Sequence, residues 1–278
     1  MKVWMNGISD SVPLSEINIP GTHDSCARYV AFPHFSKCHN LSVASQLEMG
    51  IRLFDMRVEK KGNELICVHA IVNCKDRRFF GKTILFGDVI KDCTDFLKNN
   101  PSETVIICFK RDDGAGDEET FRLFSKKYLN EMWYTGSEIP ALGQVRGKLV
   151  LMNRCFHQGD SRGFGLDFTH WCCGDPTKSL EPNIQGNGIK YYIQDNFQAS
   201  PKNKWSNAVK PMLDAEHGEG IILNFFSAND SVHSPAYFAK YIEKRLPADA
   251  FKQGKKYGWL LFDYPKEYIV DRLIKSNM

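Results

Sequence analysis

Residues 87–110 read GDVIKDCTDFLKNNPSETVIICFK, and this stretch contains the alternation that decides the fold. Its first part, Gly87–Asn99, is amphipathic and predicts a helix. That helix ends at Asn99-Asn100-Pro101, because the residue before a proline avoids the α region. Its second part, Thr104–Lys110, is a short apolar run that ends in a charged side chain, which predicts a buried strand. A helix followed by a buried strand is typical of an α/β fold.

The same alternation extends along the whole chain. The apolar runs predict eight strands: Ile17–Ile19, Ile51–Met56, Glu64–His69, Thr104–Lys110, Lys148–Asn153, Lys190–Asp195, Gly220–Phe226 and Gly258–Asp263. Helix-prone stretches lie between them: Ser42–Met49, Gly87–Asn99, Glu118–Asn130, Asn203–Glu216 and Ser234–Arg245. Strands that alternate with helices pair in parallel, so we expect a closed (β/α)8 barrel, TIM-like, in one domain that spans residues 1–278. We expect it to be distorted at Gly62-Asn63, where no helix fits, and to carry a long excursion between 158 and 188.

Composition excludes several classes of protein. The 278 residues are 42% hydrophobic and 25% charged, with a formal net charge of +3, which is typical of a globular protein and too weakly basic for nucleic-acid binding. The basic run Lys75, Arg77 and Arg78 is broken by Asp76 and predicts a solvated loop. No apolar stretch is long enough to span a bilayer. Residues 1–6 lack the apolar run of a signal peptide. We therefore expect a cytoplasmic or peripheral membrane protein, or a secreted one if a leader precedes this chain.

Cysteine usage argues against a metal or disulfide scaffold. The nine cysteines are odd in number and include no CxxC pair, so neither a disulfide framework nor a zinc site is indicated. The group His34, Cys38 and His39 has donor atoms for a metal but no second pair of ligands at a suitable spacing. We therefore expect neither a metal nor another cofactor, and the sequence indicates no obligate protein partner.

Polar residues follow the predicted strands at their carboxyl ends, where barrel enzymes place their chemistry. They are His23 and Asp24, Asp55 and Arg57, His69, Lys110, Arg154, Asp195, and Asp263. Two histidines suit a general base and a general acid, and carboxylates beside them can orient the imidazole rings. The three cations indicate an anionic substrate group such as phosphate. This set predicts cleavage of a phosphodiester without a metal, because arginine supplies the positive charge.

Five ordered blocks of sequence resemble the X-domain of bacterial phosphatidylinositol-specific phospholipases C. They are LSEINIPGTHDS at 14–25, GIRLFDMR at 50–57, FLKNNPSETVI at 96–106, VRGKLVL at 145–151 and GWLLFDY at 258–264. Together they extend from about residue 10 to residue 265. The resemblance implies cleavage of phosphatidylinositol to diacylglycerol and inositol 1,2-cyclic phosphate, and it leaves open whether glycosylphosphatidylinositol anchors are cleaved as well.

The resemblance also implies a role for each matching residue. His23 resembles the general base that deprotonates the inositol 2-hydroxyl, assisted by Asp263. His69 resembles the general acid, with Asp24 assisting, and Arg57 resembles the phosphate ligand. The residues that resemble inositol ligands are Lys110, Arg154, Asp195 and Phe197. Phe197 departs from the family pattern, which usually has a tyrosine there, so it keeps an apolar platform without the hydroxyl.

Membrane contact is expected from two loops at the mouth of the barrel. The aromatic residues in them are Tyr29, Phe32 and Phe35 in the first, and Phe164, Phe168 and Trp171 in the second. Aromatic side chains with lysines nearby suit the surface of a membrane, although they could instead cap the mouth as core.

Two other functions stay open. One is a metal-dependent barrel phosphodiesterase resembling the glycerophosphodiesterases or sphingomyelinase D, although Arg57 and Lys110 stand where acidic metal ligands would be expected. The other is an inactive X-domain that only binds phosphoinositides, although both histidines are present.

Overall fold

The computed structural model describes residues 2–112, 117–155, 164–169, 179–184 and 188–278. Its strands are β1 Ile19–Thr22, β2 Leu53–Lys61, β3 Glu64–His69, β4 Val72–Asn73, β5 Val105–Arg111, β6 Trp133–Tyr134, β7 Leu149–Asn153, β8 Leu166–Asp167, β9 Asn183–Ile184, β10 Lys190–Gln194, β11 Ile221–Phe225 and β12 Trp259–Phe262. Its α-helices are α1 Pro33–Ser36, α2 Val43–Met49, α3 Phe86–Asn99, α4 Asp117–Tyr128, α5 Leu142–Val145, α6 Pro201–Asn203, α7 Lys210–Asp214, α8 Pro235–Glu243 and α9 Glu267–Lys275. Short 3-10 helices cover Met5–Gly7 and Leu14–Glu16, and a π-helical stretch, Lys204–Val209, joins α6 to α7.

The strands form one curled α/β sheet that has the expected barrel character. The order of neighbours is β6-β7-β5-β2-β1-β12-β11-β10, all parallel, with β9 antiparallel beside β10 and β8 parallel beside β7. In β1, β7, β11 and β12 every residue is buried, as expected for parallel strands that are covered on both faces. Within the described ranges the sheet shows no pairing between β8 and β9, so hydrogen bonds do not close the barrel there.

The third predicted strand runs in the opposite direction from the others. Residues Glu64–His69 pair antiparallel with β2, and β4 then pairs antiparallel with β3. The cause is the two-residue connection Gly62-Asn63, in which Gly62 adopts a φ of +61° that favours glycine. The expected distortion is confirmed at this point, and the parallel pairing expected of all eight strands is wrong for β3.

The first predicted strand is displaced along the chain. It was expected at Ile17–Ile19, but β1 covers Ile19–Thr22 and includes Pro20 and Gly21, which suggest a turn in sequence alone. Gly21 lies directly against Leu53 of β2, and a Cβ at residue 21 would come within 2.9 Å of the Leu53 Cβ. Glycine here permits a close approach of two strands.

The predicted helices are confirmed within a few residues at each end. Ser42 caps α2 by accepting a hydrogen bond from Ser45 N at 3.2 Å, and Gly50 ends the helix with a φ of +113°. Sequence reasoning missed α9, whose buried face is Ile269, Val270, Leu273 and Ile274. None of the helices in the described ranges is both long and apolar enough to cross a lipid bilayer.

Candidate active site

The register of three neighbouring strands brings their polar ends together. Thr22 of β1 pairs with Phe54 of β2 on one side and with Phe262 of β12 on the other. His23, Asp55 and Asp263 each follow one of these paired residues directly, so they emerge at the same level of the sheet. His23 N donates to the Phe262 carbonyl at 3.1 Å, which extends the pairing to the edge that carries these polar side chains.

All nine residues predicted for catalysis or substrate binding line one cavity of about 340 Å³. They are His23, Asp24, Arg57, His69, Lys110, Arg154, Asp195, Phe197 and Asp263. The cavity is also lined by Phe35, Cys38, Ser227, Ala228, Asn229 and Pro235. The nine predicted residues therefore belong to one site, and the fold brings them together from separate strands and loops.

His23 is held at both ring nitrogens. Its Nδ1 lies 3.0 Å from Asp263 Oδ1, and its Nε2 lies 2.9 Å from Arg57 Nη2. Burial lowers the pKa of His23 well below its usual value, and the Arg57 guanidinium lowers it further. Burial also raises the pKa of Asp263 well above its usual value, and the neighbouring Asp24 raises it further. At neutral pH the imidazole is therefore neutral and able to accept a proton.

Asp24 lies between the two histidines. Its Oδ2 is 3.1 Å from His23 Nε2 and 3.2 Å from His69 Nδ1. Its backbone has a φ of +43°, which is uncommon outside glycine, and its N–H donates to Asp55 Oδ2 at 3.2 Å. Burial raises the pKa of Asp24 to about 6, although Arg57 and His69 oppose this shift. One buried carboxylate therefore contacts both imidazoles.

Arg57 lies among three carboxylates. Its Nε is 3.1 Å from Asp24 Oδ1 and 3.2 Å from Asp55 Oδ2, and its Nη1 is 3.2 Å from Asp112 Oδ1. Burial favours the neutral form of Arg57, but Asp24, Asp55 and Asp112 together raise its pKa well above its usual value. A permanent, oriented cation therefore stands beside His23 Nε2.

Asp112 is a site residue that sequence reasoning missed. Its Oδ2 accepts a hydrogen bond from Ala70 N, next to His69, and its Oδ1 also lies 3.4 Å from Lys110 Nζ. Burial alone would raise the pKa of Asp112, but Arg57 and Lys110 lower it below its usual value. Its position two residues after Lys110 was an available signal, because side chains two apart along a strand share a face.

His69 reaches the cavity from the end of β3. Its Nδ1 is 3.7 Å from Cys38 Sγ, and its ring centroid is 6.3 Å from that of His23 with the planes at 83°. The two imidazoles thus lie on either side of Asp24, at a spacing suited to a base and an acid on opposite sides of a reacting phosphorus.

The other side chains predicted to bind the substrate lie around this centre. Arg154 Nη1 is 3.8 Å from Asp55 Oδ1. Burial raises the pKa of Asp195, although Arg154 and Lys204 oppose this shift. Phe197 is 45% exposed at the rim, as a platform for a ligand must be.

Lys204 is a second residue that the sequence did not reveal. It is fully buried, and its Nζ donates to Gln194 Oε1 and to the Asn196 carbonyl, each at 2.9 Å. Burial lowers the pKa of Lys204 to about 7, against the opposing charges of Asp195 and Asp263. Its contacts support the segment that carries Asp195 and Phe197.

One group in the described part of the chain has the donor atoms for a metal ion. The ligand atoms of His23, Asp24 and Cys38 lie within 4.8 Å of one another. Arg57 already lies 2.9 Å from His23 Nε2 and 3.1 Å from Asp24 Oδ1, so a cation there would have to displace a guanidinium. His34 and His39, which the sequence placed near Cys38 as possible metal ligands, make other contacts. His34 Nε2 is 3.1 Å from the Val232 carbonyl, and His39 Nε2 is 2.5 Å from the His23 carbonyl.

The side chains predicted to contact a membrane differ in exposure. Phe32 is 70% exposed, Phe35 is exposed and lines the mouth of the cavity, and Tyr29 is half-buried. Phe168 is fully buried, with its ring centroid 4.0 Å from that of Tyr191, so its predicted membrane contact is wrong and it packs as core. Trp171 lies outside the described residues.

The chain is similar in sequence to a family of known proteins. The family model "Phosphatidylinositol-specific phospholipase C, X domain" matches residues 12–155. The chain is 27% identical over 303 residues to a 1-phosphatidylinositol phosphodiesterase of Staphylococcus aureus strain Newman, covering 99% of this chain and 93% of the relative. It is 24% identical over 297 residues to the Listeria monocytogenes protein of the same name, covering 99% and 85%.

Solved structures agree with these relatives. A structure of S. aureus phosphatidylinositol-specific phospholipase C, from work on modulation of its membrane binding, superimposes with a TM-score of 0.80 at 25% identity, covering 99% of this chain and 96% of that one. The L. monocytogenes enzyme superimposes with a TM-score of 0.73 at 24% identity, covering 99% and 98%, which supports the fold. On the family match, the near-complete alignments and the shared fold, the chain belongs to the phosphatidylinositol-specific phospholipase C X-domain family.

Proposed function

We propose that this protein is a phosphatidylinositol-specific phospholipase C that cleaves phosphatidylinositol to diacylglycerol and inositol 1,2-cyclic phosphate. The observation that carries the proposal is the pair of imidazoles on either side of Asp24 with the Arg57 guanidinium between carboxylates beside them. Relatives over 99% of the chain carry the name of this activity.

The first half of the proposed reaction is deprotonation and attack. His23 Nε2 takes the proton of the inositol 2-hydroxyl, and the 2-oxygen forms a bond to the neighbouring phosphorus. Asp263, 3.0 Å from His23 Nδ1, stabilises the imidazolium that results. Arg57 neutralises the negative charge that develops on the phosphoryl oxygens. In the structure Arg57 Nη2 contacts His23 Nε2, and in the substrate complex the inositol 2-hydroxyl takes the place of Arg57 at that nitrogen.

The second half is departure of the lipid. The bond between phosphorus and the diacylglycerol oxygen breaks, and His69 donates a proton to that oxygen. Asp24, 3.2 Å from His69 Nδ1, holds the ring in place. The attack is intramolecular, so neighbouring groups replace a second reactant and lower the entropic cost. Lys110, Arg154 and Asp195 bind the inositol hydroxyls, with Phe197 beneath the ring.

Access to the substrate requires contact with a membrane surface. We place that contact at Phe32 and Phe35, because Phe32 is exposed and Phe35 links its loop to the cavity. We also propose that residues 1–278 act as one barrel domain, since β1 near the amino end pairs with β12 near the carboxyl end. Cleavage of glycosylphosphatidylinositol anchors is an extension of the same chemistry.

The test is an incubation with phosphatidylinositol vesicles in excess chelator, followed by detection of cyclic inositol phosphate. We expect full activity, because Arg57 supplies the positive charge that a metal ion supplies in metal-dependent cleavage of phosphodiesters. Activity that is lost in chelator and restored by a divalent cation would favour a metal-dependent phosphodiesterase. Binding of the vesicles without any product would favour an inactive phosphoinositide-binding domain.

A further inference from the structure

The hairpin Cys74–Ile84, here called the basic hairpin, presents two phenylalanines to solvent. Phe79 is 70% exposed and Phe80 is 97% exposed, and Arg78 lies over the Phe79 ring with 5.1 Å to its centroid. Single exposed aliphatic residues are ordinary on protein surfaces, but two adjacent, nearly bare aromatic rings are not. Their exposure calls for a partner that covers them.

The exposure is built into the turn. Ile84 N donates to the Cys74 carbonyl at 2.9 Å, and Asp76 N donates to the Lys82 carbonyl at 3.0 Å, which closes the hairpin. Phe80 has a φ of +53°, an uncommon conformation for a bulky residue. A Cβ at Gly81 would lie 2.2 Å from the Arg77 carbonyl oxygen, so the turn requires glycine there. The backbone therefore holds the two rings outward in a defined loop.

The charges around the rings are almost all positive. Lys75, Arg77, Arg78 and Lys82 are exposed. The single carboxylate, Asp76, uses its Oδ1 to accept from Lys82 N at 2.9 Å. Among the described residues, no carboxylate forms a salt bridge with any of the four cations. Cations that surround exposed aromatic rings match an anionic lipid surface, in which the rings enter the interface and the cations pair with headgroups.

The basic hairpin is joined to the mouth of the site. Lys75 N donates to the Tyr29 carbonyl at 2.8 Å, and Arg28 donates to the Asp76 carbonyl. Three residues after Tyr29 is Phe32, in the loop that leads to the cavity. The chain also connects the two directly, because His69 of the cavity is followed by the exposed Ile71, by β4 and then by the basic hairpin.

We propose that the basic hairpin is a second membrane anchor, selective for anionic lipid surfaces, with Phe79 and Phe80 inserted and Arg77 and Arg78 paired with headgroups. This inference rests on the proposed function, because a lipid substrate brings the enzyme to a membrane. The exposure of Lys75, Arg77 and Arg78 agrees with the solvated loop expected from sequence, and the proposal assigns a partner to that loop.

The test measures binding to large unilamellar vesicles of phosphatidylcholine alone and of phosphatidylcholine with phosphatidylglycerol. Neither contains phosphatidylinositol. Arg77→Gln/Arg78→Gln should weaken binding to the anionic vesicles about tenfold or more and reduce its dependence on salt, with little change on phosphatidylcholine alone. Phe79→Ser/Phe80→Ser should weaken binding to the anionic vesicles by a similar factor. Both variants should keep the wild-type melting temperature and the wild-type turnover of soluble glycerophosphoinositol.

Two control variants match these changes. Arg122→Gln/Arg245→Gln removes the same two charges from exposed positions elsewhere, and Tyr268→Ser removes an exposed aromatic ring near Arg272. Both controls should bind as the wild type does. Wild-type affinity of the basic-hairpin variants for anionic vesicles would overturn the anchor and leave the surface to a protein partner. Since the binding assay needs no catalysis, an anchor that works in a protein without phospholipase activity would refute the proposed function alone.

Discussion

Asp24 links the two halves of the proposed reaction, because its buried carboxylate is 3.1 Å from one histidine and 3.2 Å from the other. Its φ of +43° turns the chain immediately after His23, so that the side chain points between the rings. A residue in this conformation is strained, and such strain persists where the surrounding structure holds it.

The two histidines give the most direct test at this scale. We expect His23→Ala and His69→Ala each to lower turnover of phosphatidylinositol by about a hundredfold or more, the usual contribution of a general acid or base. Both rings line a cavity instead of filling the core, so the melting temperature should change little. A folded His69→Ala protein with near-normal turnover would remove His69 from the mechanism.

Phe197 is the proposed platform beneath the inositol ring. Because it is 45% exposed, Phe197→Ala should leave the melting temperature almost unchanged. The substrate concentration needed for half-maximal rate should rise by a factor that corresponds to about 1 kcal/mol of lost ring stacking. Phe197→Tyr is the control and should be tolerated. A destabilised alanine variant with unchanged substrate dependence would mean that Phe197 packs the end of β10 and does not form a platform.

At the scale of elements, the hairpin β3–β4 decides where His69 lies. Its turn is held to the barrel by Asp112, which accepts from Ala70 N and contacts Arg57 at 3.2 Å. A single carboxylate thus couples the position of the proposed acid, His69, to that of the proposed phosphate ligand, Arg57.

Removal of the Asp112 carboxylate should change kcat more than KM. We expect Asp112→Ala to lower kcat about tenfold or more, with a smaller change in KM, since a small displacement of His69 or Arg57 is costly in rate. Asp112→Asn retains one acceptor oxygen and should recover part of the rate. Steady-state kinetics on vesicles measures both, and an alanine variant with wild-type kcat would show that the turn keeps its position unaided.

At the scale of the whole molecule, burial of histidine makes stability depend on pH. Burial lowers the pKa of His39 to about 4, from about 6.5 in an unfolded chain. Between these two values the unfolded state binds more protons at this residue, so its contribution to the free energy of unfolding falls as pH falls from 6.5 towards 4. The raised pKa values of Asp24 and Asp263 act in the opposite direction, so the contribution of His39 must be isolated by comparison.

The comparison is with His39→Asn, measured by urea unfolding at pH 6.5 and pH 5. We expect the stability of the wild type relative to this variant to fall by about 1.5 kcal/mol over that interval. Parallel stability curves for the two proteins would mean that His39 titrates normally in the folded state.

Much of the fold could be predicted from the sequence because buried parallel strands are encoded as short apolar runs, and their charged ends share one edge. On that basis the sequence predicted the α/β barrel class, seven of the parallel strands and eight polar residues that line the cavity, while the family resemblance added Phe197. The turn signal at Gly62-Asn63 also indicated the distortion in the correct place.

Tertiary structure decided the displacement of β1 and the parts played by Asp112 and Lys204, whereas the short connection Gly62-Asn63 already determined the direction of β3. Gly21 in β1 is explained only by the approach of Leu53 in the folded sheet. Asp112 and Lys204 are ordinary charged residues in sequence, and their importance comes from burial and from partners distant along the chain, such as Arg57 and Asp263. Local patterns report which faces are buried, whereas contacts between charges depend on strand register, which exists only in the folded chain.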